Sequence, residues 1–165
     1  WFQNQEGPVI SDSAQCPTAH HRLLPTKRFL FLRNLVDAKE CTFCGAEEET
    51  LSHLFWNCHF VQGFWNSVQD WLCDTCCNCT PPIFSELLVL FGLDQNFRTD
   101  CVLDLLILMG KFYIYKCRLQ ETLPNSNVFT AIVKERYTVE RYRCCTNGST
   151  LKFRLVWLPY MSLVE

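Results

Sequence analysis

The stretch Cys41-Thr42-Phe43-Cys44-Gly45-Ala46-Glu47-Glu48-Glu49-Thr50-Leu51-Ser52-His53-Leu54-Phe55-Trp56-Asn57-Cys58 sets three thiols and one imidazole in the order Cys-x2-Cys-x8-His-x4-Cys. Soft thiolates plus one imidazole are the donors that a structural zinc ion takes at four tetrahedral corners. Two cysteines separated by two residues straddle a tight turn, and Gly45 directly after the second frees the backbone to close it. Thr50 is placed to cap a helical turn that presents His53. Cys58 follows five residues later, about 140° round an ideal helix, so the helix must loosen there. Neighbouring His59 is the substitute ligand if it does not. The expected metal ligands are therefore Cys41, Cys44, His53 and Cys58, with zinc as the cofactor. Four protein ligands leave no catalytic position open.

Outward from this module the pattern is helical. Upstream, Leu23, Leu24, Phe29, Leu30, Leu32 and Leu35 predict a helix over residues 20–36, with Pro25 at a break or first-turn position. Downstream, Phe60, Val61, Phe64, Trp65, Val68, Trp71 and Leu72 recur at three- and four-residue spacing and predict a helix to about residue 72 with an aromatic inner face. Pro81-Pro82 closes a cysteine-rich linker over 73–82, and a short helix over 84–91 ends at Gly92. The longest helix should start near Thr99 as N-cap, with Asp100 at the positive end of its dipole, and run to about residue 122. A last helix is predicted over 127–143. Asn147-Gly148 then makes a turn, and residues 151–158 alternate like a short strand or extended tail. The fold class expected is mostly α: a small Cys-Cys-His-Cys zinc module, then a helical bundle, then a short extended C-terminal tail. The corresponding divisions are a loose leader (1–19), the zinc module with flanking helices (20–72), the linker (73–82), a helical domain (83–145) and the turn and tail (146–165).

The 165 residues are 48% hydrophobic and 19% charged, which excludes a disordered chain and fits a packed globule. The chain begins with Trp1, so we expect it to be a piece of a longer polypeptide. Asp104 and Lys111 interrupt the most apolar stretch, residues 101–119, which predicts a buried helix rather than a membrane span.

Twelve cysteines fall just under the density of a disulfide scaffold, so spacing decides. The metal-type spacing favours a reducing compartment, nucleus or cytoplasm, over a secreted disulfide-bonded protein, although Asn78-Cys79-Thr80 and Asn147-Gly148-Ser149 are glycosylation-type tripeptides. Cys73, Cys76, Cys77 and Cys79 form a second cluster, but no histidine lies nearby and adjacent Cys76 and Cys77 do not both easily face one ion. Asp100 and Asp104 lie one helical turn apart, where helix-start acids are ordinarily caps rather than cation ligands.

The net charge of −2 hides three zones. Residues 20–40 sum to +3, residues 41–110 to −8, and residues 111–154 to +6. The two basic zones point to a polyanion, and the last nominates Lys111, Lys116, Arg118, Arg136, Arg141 and Arg143 as RNA or DNA backbone contacts, with Tyr115 as a stacking platform. No Gly-x-Ser-x-Gly element, phosphate loop or nucleotide-binding glycine run occurs, so an enzyme confined to this chain is not expected.

The residues Cys41-Thr42-Phe43-Cys44-Gly45, the acidic run Glu47-Glu48-Glu49, and Thr50-Leu51-Ser52-His53-Leu54-Phe55-Trp56-Asn57-Cys58 with the later Phe64-Trp65 resemble the zinc-binding segment near the C-terminus of LINE-type (non-LTR) retrotransposon reverse transcriptases. The lead-in His21-Arg22-Leu23-Leu24-Pro25-Thr26-Lys27-Arg28-Phe29-Leu30 is similar to that family as well. So are Leu105-Leu106-Ile107-Leu108 and Gly110-Lys111-Phe112-Tyr113-Ile114-Tyr115-Lys116-Cys117-Arg118. The resemblance implies an accessory module that helps a parent RNA-directed DNA polymerase hold template RNA or target DNA, with the same four ligands. Tyr-x-Asp-Asp is absent from these residues, as is an endonuclease region. The alternative reading is a protein-interaction module that docks on the upstream polymerase through the aromatic face of residues 60–72. No membrane partner is expected.

Overall fold

A computed structural model describes residues 24–75, 83–92, 101–157 and 160. Its elements are α1 (Lys27–Phe31), a π-helical turn (His53–Asn57), α2 (His59–Thr75), α3 (Glu86–Phe91), α4 (Cys101–Leu119), α5 (Ser126–Thr146) and α6 (Thr150–Trp157). The chain is mostly helical, with no strand among the described residues; one isolated antiparallel bridge pairs Glu40 with Glu48. The leader, Cys76, Cys77 and Cys79, and the Thr99-Asp100 helix start lie outside the described residues.

Local chemistry sets the helix ends. Thr26 caps α1 by accepting from the Phe29 N–H, Ser85 caps α3 through Leu88, and Asn125 caps α5 through Asn127 and Val128. Gly92 ends α3 in the left-handed conformation, φ +69°, which costs a glycine little.

The core runs along one face of each long helix. Val61, Phe64, Trp65, Val68 and Leu72 are the buried side of α2, and Val102, Leu103, Leu106, Ile107, Ile114 and Cys117 are that of α4. Both helices pack on the π-helical turn and on α5, which contributes Phe129, Val133 and Tyr137. Trp65 pins the crossing: its indole N–H donates to the Phe55 carbonyl at 2.8 Å, and its ring lies where a Cβ on Gly110 would sit, 2.4 Å away. Only glycine lets α2 and α4 approach that closely.

Two expectations are corrected. The predicted upstream helix over 20–36 is confined, within the described residues, to Lys27–Phe31: Pro25 precedes the cap, and Asn34 adopts φ +54° and turns the chain away. Leu32 and Leu35 then lie exposed, so they form no buried stripe. The extended C-terminal tail is instead α6, as far as Trp157. Its alternation is only apparent. Phe153 and Trp157, four residues apart, stack on Tyr137 at 5.3 and 5.2 Å between ring centroids, while Leu151 and Leu155 face outward. Gly148, at φ +68°, makes the turn between α5 and α6.

No helix among the described residues is long and apolar enough to cross a membrane.

Candidate metal centre

The turn from Lys39 to Glu49 folds back on itself. Cys41 N–H donates to the Glu47 carbonyl at 2.7 Å, Glu49 N–H donates to the Lys39 carbonyl at 2.8 Å, and Gly45, at φ +64°, donates to the Cys41 carbonyl at 2.9 Å. These bonds place Cys41 and Cys44 side by side. Thr50 then starts the next turn, its hydroxyl accepting from the His53 N–H at 3.0 Å. The required loosening takes the form of a π turn, in which Cys58 N–H reaches back five residues to the His53 carbonyl at 3.0 Å. A five-residue closure matches the five-residue ligand spacing, and Cys58 turns onto the side that carries His53.

One donor atom from each of Cys41, Cys44, His53 and Cys58 lies within 4.8 Å of the others. The Cys41 and Cys58 sulfurs are 4.0 Å apart, and the Cys44 sulfur is 3.3 Å from His53 Nε2. A tetrahedral zinc ion, with Zn–S ~2.3 Å and Zn–N ~2.0–2.1 Å, spans edges of about 3.8 and about 3.6 Å between such donors. The donor set therefore fits a metal of this size and softness. His59 is exposed, stacks on Phe60, and takes no part in the cluster.

The surroundings suit thiolates. Phe43 and Cys44 offer backbone N–H groups to the Cys41 sulfur, and Phe60 and Val61 offer theirs to Cys58. Without a metal, the hydrogen bond to Cys58 and then burial push the Cys41 thiol far up, while the same hydrogen bond holds Cys58 below its ordinary value. A metal bound by both sulfurs would displace the proton of this hydrogen bond. Glu47 Oε2 lies 3.1 Å from His53 Nδ1 but off the line of a hydrogen bond, so this buried nitrogen has no hydrogen-bond partner of its own. A small rotation would give the outer carboxylate that metal-bound imidazoles commonly use.

Sequence reasoning missed the residue that ties this centre to the rest of the fold. Glu49 is fully buried, and one of its oxygens accepts from Arg118 Nη2 at 2.9 Å, Arg118 Nε at 3.0 Å and the Lys27 N–H at 2.8 Å. The other accepts from the Thr42 hydroxyl at 3.0 Å and the Thr42 N–H at 3.3 Å. An acidic run reads as a solvated surface, and no local pattern distinguishes its third member.

This network removes Arg118 from the nominated nucleic-acid contacts. Arg118 is 8% exposed and committed to Glu49, so it is a structural strut. Lys111 is half-buried, donates to the Leu90 carbonyl at 3.3 Å and lies over the Phe55 ring; burial lowers its ammonium to about 8. Tyr115 is half-buried beside the Arg118 guanidinium and lines a cavity together with Lys111. Lys116, Arg136, Arg141 and Arg143 are exposed, although Arg136 is paired with Glu140 at 2.7 Å. Of the aromatic face of residues 60–72, Phe64 and Trp65 are core, whereas Phe60 is exposed and Trp71 half-buried. Asp104 lies in the first turn of α4, and each cysteine among the described residues is a free thiol.

No curated protein matches the chain. Residues 14–65, which contain all four converging donors, match the model of a family described as zinc-binding in reverse transcriptase.

Proposed function

We propose that the chain is a zinc-stabilised accessory module of a LINE-type reverse transcriptase, non-catalytic by itself, that helps the parent enzyme hold RNA or DNA. The observation that carries this reading is the convergence of Cys41, Cys44, His53 and Cys58 within 4.8 Å, inside the segment that matches a reverse-transcriptase zinc-binding family. Zinc bound there supplies cross-linking rather than Lewis acidity, because the protein provides all four ligands. The residues themselves fix the knuckle, the π turn and, through Glu49 and Arg118, the start of α1 and the end of α4.

The nucleic-acid role draws support from exposed bases: Lys116 at the end of α4, and Lys134, Arg136, Arg141 and Arg143 on α5. Titration of RNA and DNA oligonucleotides by fluorescence anisotropy at several salt concentrations tests it. Log affinity should fall linearly with log salt, by ~0.7–0.9 for each phosphate neutralised. Replacing Lys134, Arg141 and Arg143 with glutamine should flatten this slope. Salt-indifferent binding, or none at micromolar protein, removes the nucleic-acid role.

A second reading, docking on the upstream polymerase, is favoured by outward-facing Leu108, Phe112, Leu151 and Leu155. It predicts concentration-dependent self-association of the isolated chain that aspartate at Leu151 and Leu155 relieves.

A further inference from the structure

The partners of the buried Glu49 carboxylate fall into two groups. Oε2 accepts from the N–H and hydroxyl of Thr42, which follows Cys41 inside the turn that also carries Cys44. Oε1 accepts from Arg118, 69 residues away in sequence, and from the Lys27 N–H. The Glu49 backbone leads directly into Thr50, whose hydroxyl holds the His53 N–H. One side chain therefore stands between the thiol pair and the turn that presents the imidazole. We propose that Arg118 is a positioning residue of the metal centre: by holding Glu49 it fixes the Cys41–Cys44 turn against the His53–Cys58 turn, and so sets how tightly zinc is retained. The inference rests on the zinc reading given above.

A carboxylate taken out of water needs an opposite charge and donors for both oxygens. Arg118 supplies the charge and two N–H groups, Nε at 3.0 Å and Nη2 at 2.9 Å. It is itself buried, on a 19-residue helix that packs on the π turn, so its place is set by the core rather than by solvent. Without the guanidinium, Glu49 is drawn toward water and its bonds to Thr42 go with it. The Cys41 sulfur then loses its fixed position 4.0 Å from that of Cys58. Charge acts in the same direction. Three thiolates, a neutral imidazole and a divalent ion leave a net negative charge, and an uncompensated carboxylate beside them is a second anion that repels the first. Arg118 cancels it. Residues 14–65, which match the zinc-binding family, hold all four ligands but not Arg118, so α4 completes the centre from outside the ligand segment.

The test is competition for zinc between the full chain and a chromophoric chelator. Arg118→Met should weaken zinc binding about tenfold, the lower end of what the outer partners of metal ligands contribute. Arg118→Lys, which keeps a charge and a donor, should recover part of that loss. Thr42→Val removes only the hydroxyl from which Glu49 accepts and should weaken zinc about threefold, as one hydrogen bond supports. Trp157→Ala, a core truncation outside this network, should leave zinc affinity unchanged. Unaltered affinity in Arg118→Met overturns the proposal, and so does equal weakening by Trp157→Ala, which would assign the effect to global stability. If Arg118→Met does not fold, Thr42→Val decides, and unaltered affinity there overturns the proposal. An unaltered chain that takes up no zinc would overturn the metal reading and this inference together, a failure distinct from that of a zinc-binding chain with indifferent variants.

Discussion

The metal-ligand turn and the α5–α6 pair are held by opposite means. Around Cys41, Cys44, His53 and Cys58, polar and ionisable groups converge, and the backbone is bent to serve them: a left-handed glycine at Gly45 and a π turn ending at Cys58. Around Tyr137, Phe153 and Trp157 the backbone is regular helix, and three aromatic rings close the contact. The first region gathers donors that could hold an ion, whereas the second is closed by apolar contact and one hydrogen bond, from the Trp157 indole to Glu140. They are joined at a distance, because Glu49 in the first is bonded to Arg118 at the end of α4, which packs on α5 and α6.

The largest effect expected is from chelation. Structural zinc sites in small modules contribute ~10–16 kcal/mol of apparent folding energy at neutral pH. Stripping the metal should therefore abolish amide protection over residues 38–60 in hydrogen exchange, while α5 and α6 keep more of theirs. Equal loss in both regions would show that the two are one cooperative unit.

Breaking the strut comes next. Arg118→Met leaves the buried Glu49 carboxylate without its guanidinium and should destabilise the chain by about 3–5 kcal/mol in denaturant titration. Replacing Glu49 with glutamine in that background should recover part of the loss, because the uncompensated charge goes.

Trp157→Ala sharpens the comparison from the other side. A buried tryptophan truncated to alanine costs about 3–5 kcal/mol, and here the loss should fall on α6 with metal content unchanged. A variant that loses metal would join the regions more tightly than Glu49 and Arg118 explain.

The smallest effect concerns pH. Lys111 has a folded pKa of about 8, against ~10.4 unfolded, so between those values the unfolded chain binds more protons than the folded one. Its contribution to stability is unfavourable below pH 8 and is relieved as pH rises toward 10.4. The stability advantage of Lys111→Met over the unaltered chain should therefore be largest near neutrality and shrink across that window. An advantage that grows with pH would contradict the burial of the ammonium.

The sequence made the metal cluster and the long helices legible for different reasons. Ligand spacing is local, so Cys41 and Cys44 on one turn and His53 beyond Thr50 could be placed without knowing the fold. The five-residue step to Cys58 even required a loosened helix, which the π turn supplies. The faces of α2 and α4 were readable because apolar residues recur with the helical period. What stayed hidden depends on partners far away in sequence. Nothing near Arg118 says that its guanidinium meets Glu49, and nothing near Lys111 says that its ammonium lies over the Phe55 ring. Charge therefore reads as surface, although Arg118 is buried and Lys111 half-buried. The C-terminal segment misled in another way: Leu151, Phe153, Leu155 and Trp157 alternate like a strand, and only the Tyr137 ring decides that positions four apart are the ones that matter.

Metal content of the purified chain, measured by plasma mass spectrometry alongside the Cys58→Ala variant, bears most directly on the central claim. One zinc ion per chain, falling well below one in the variant, is the expected result. A chain that holds no metal and keeps its folded structure under chelation would contradict it.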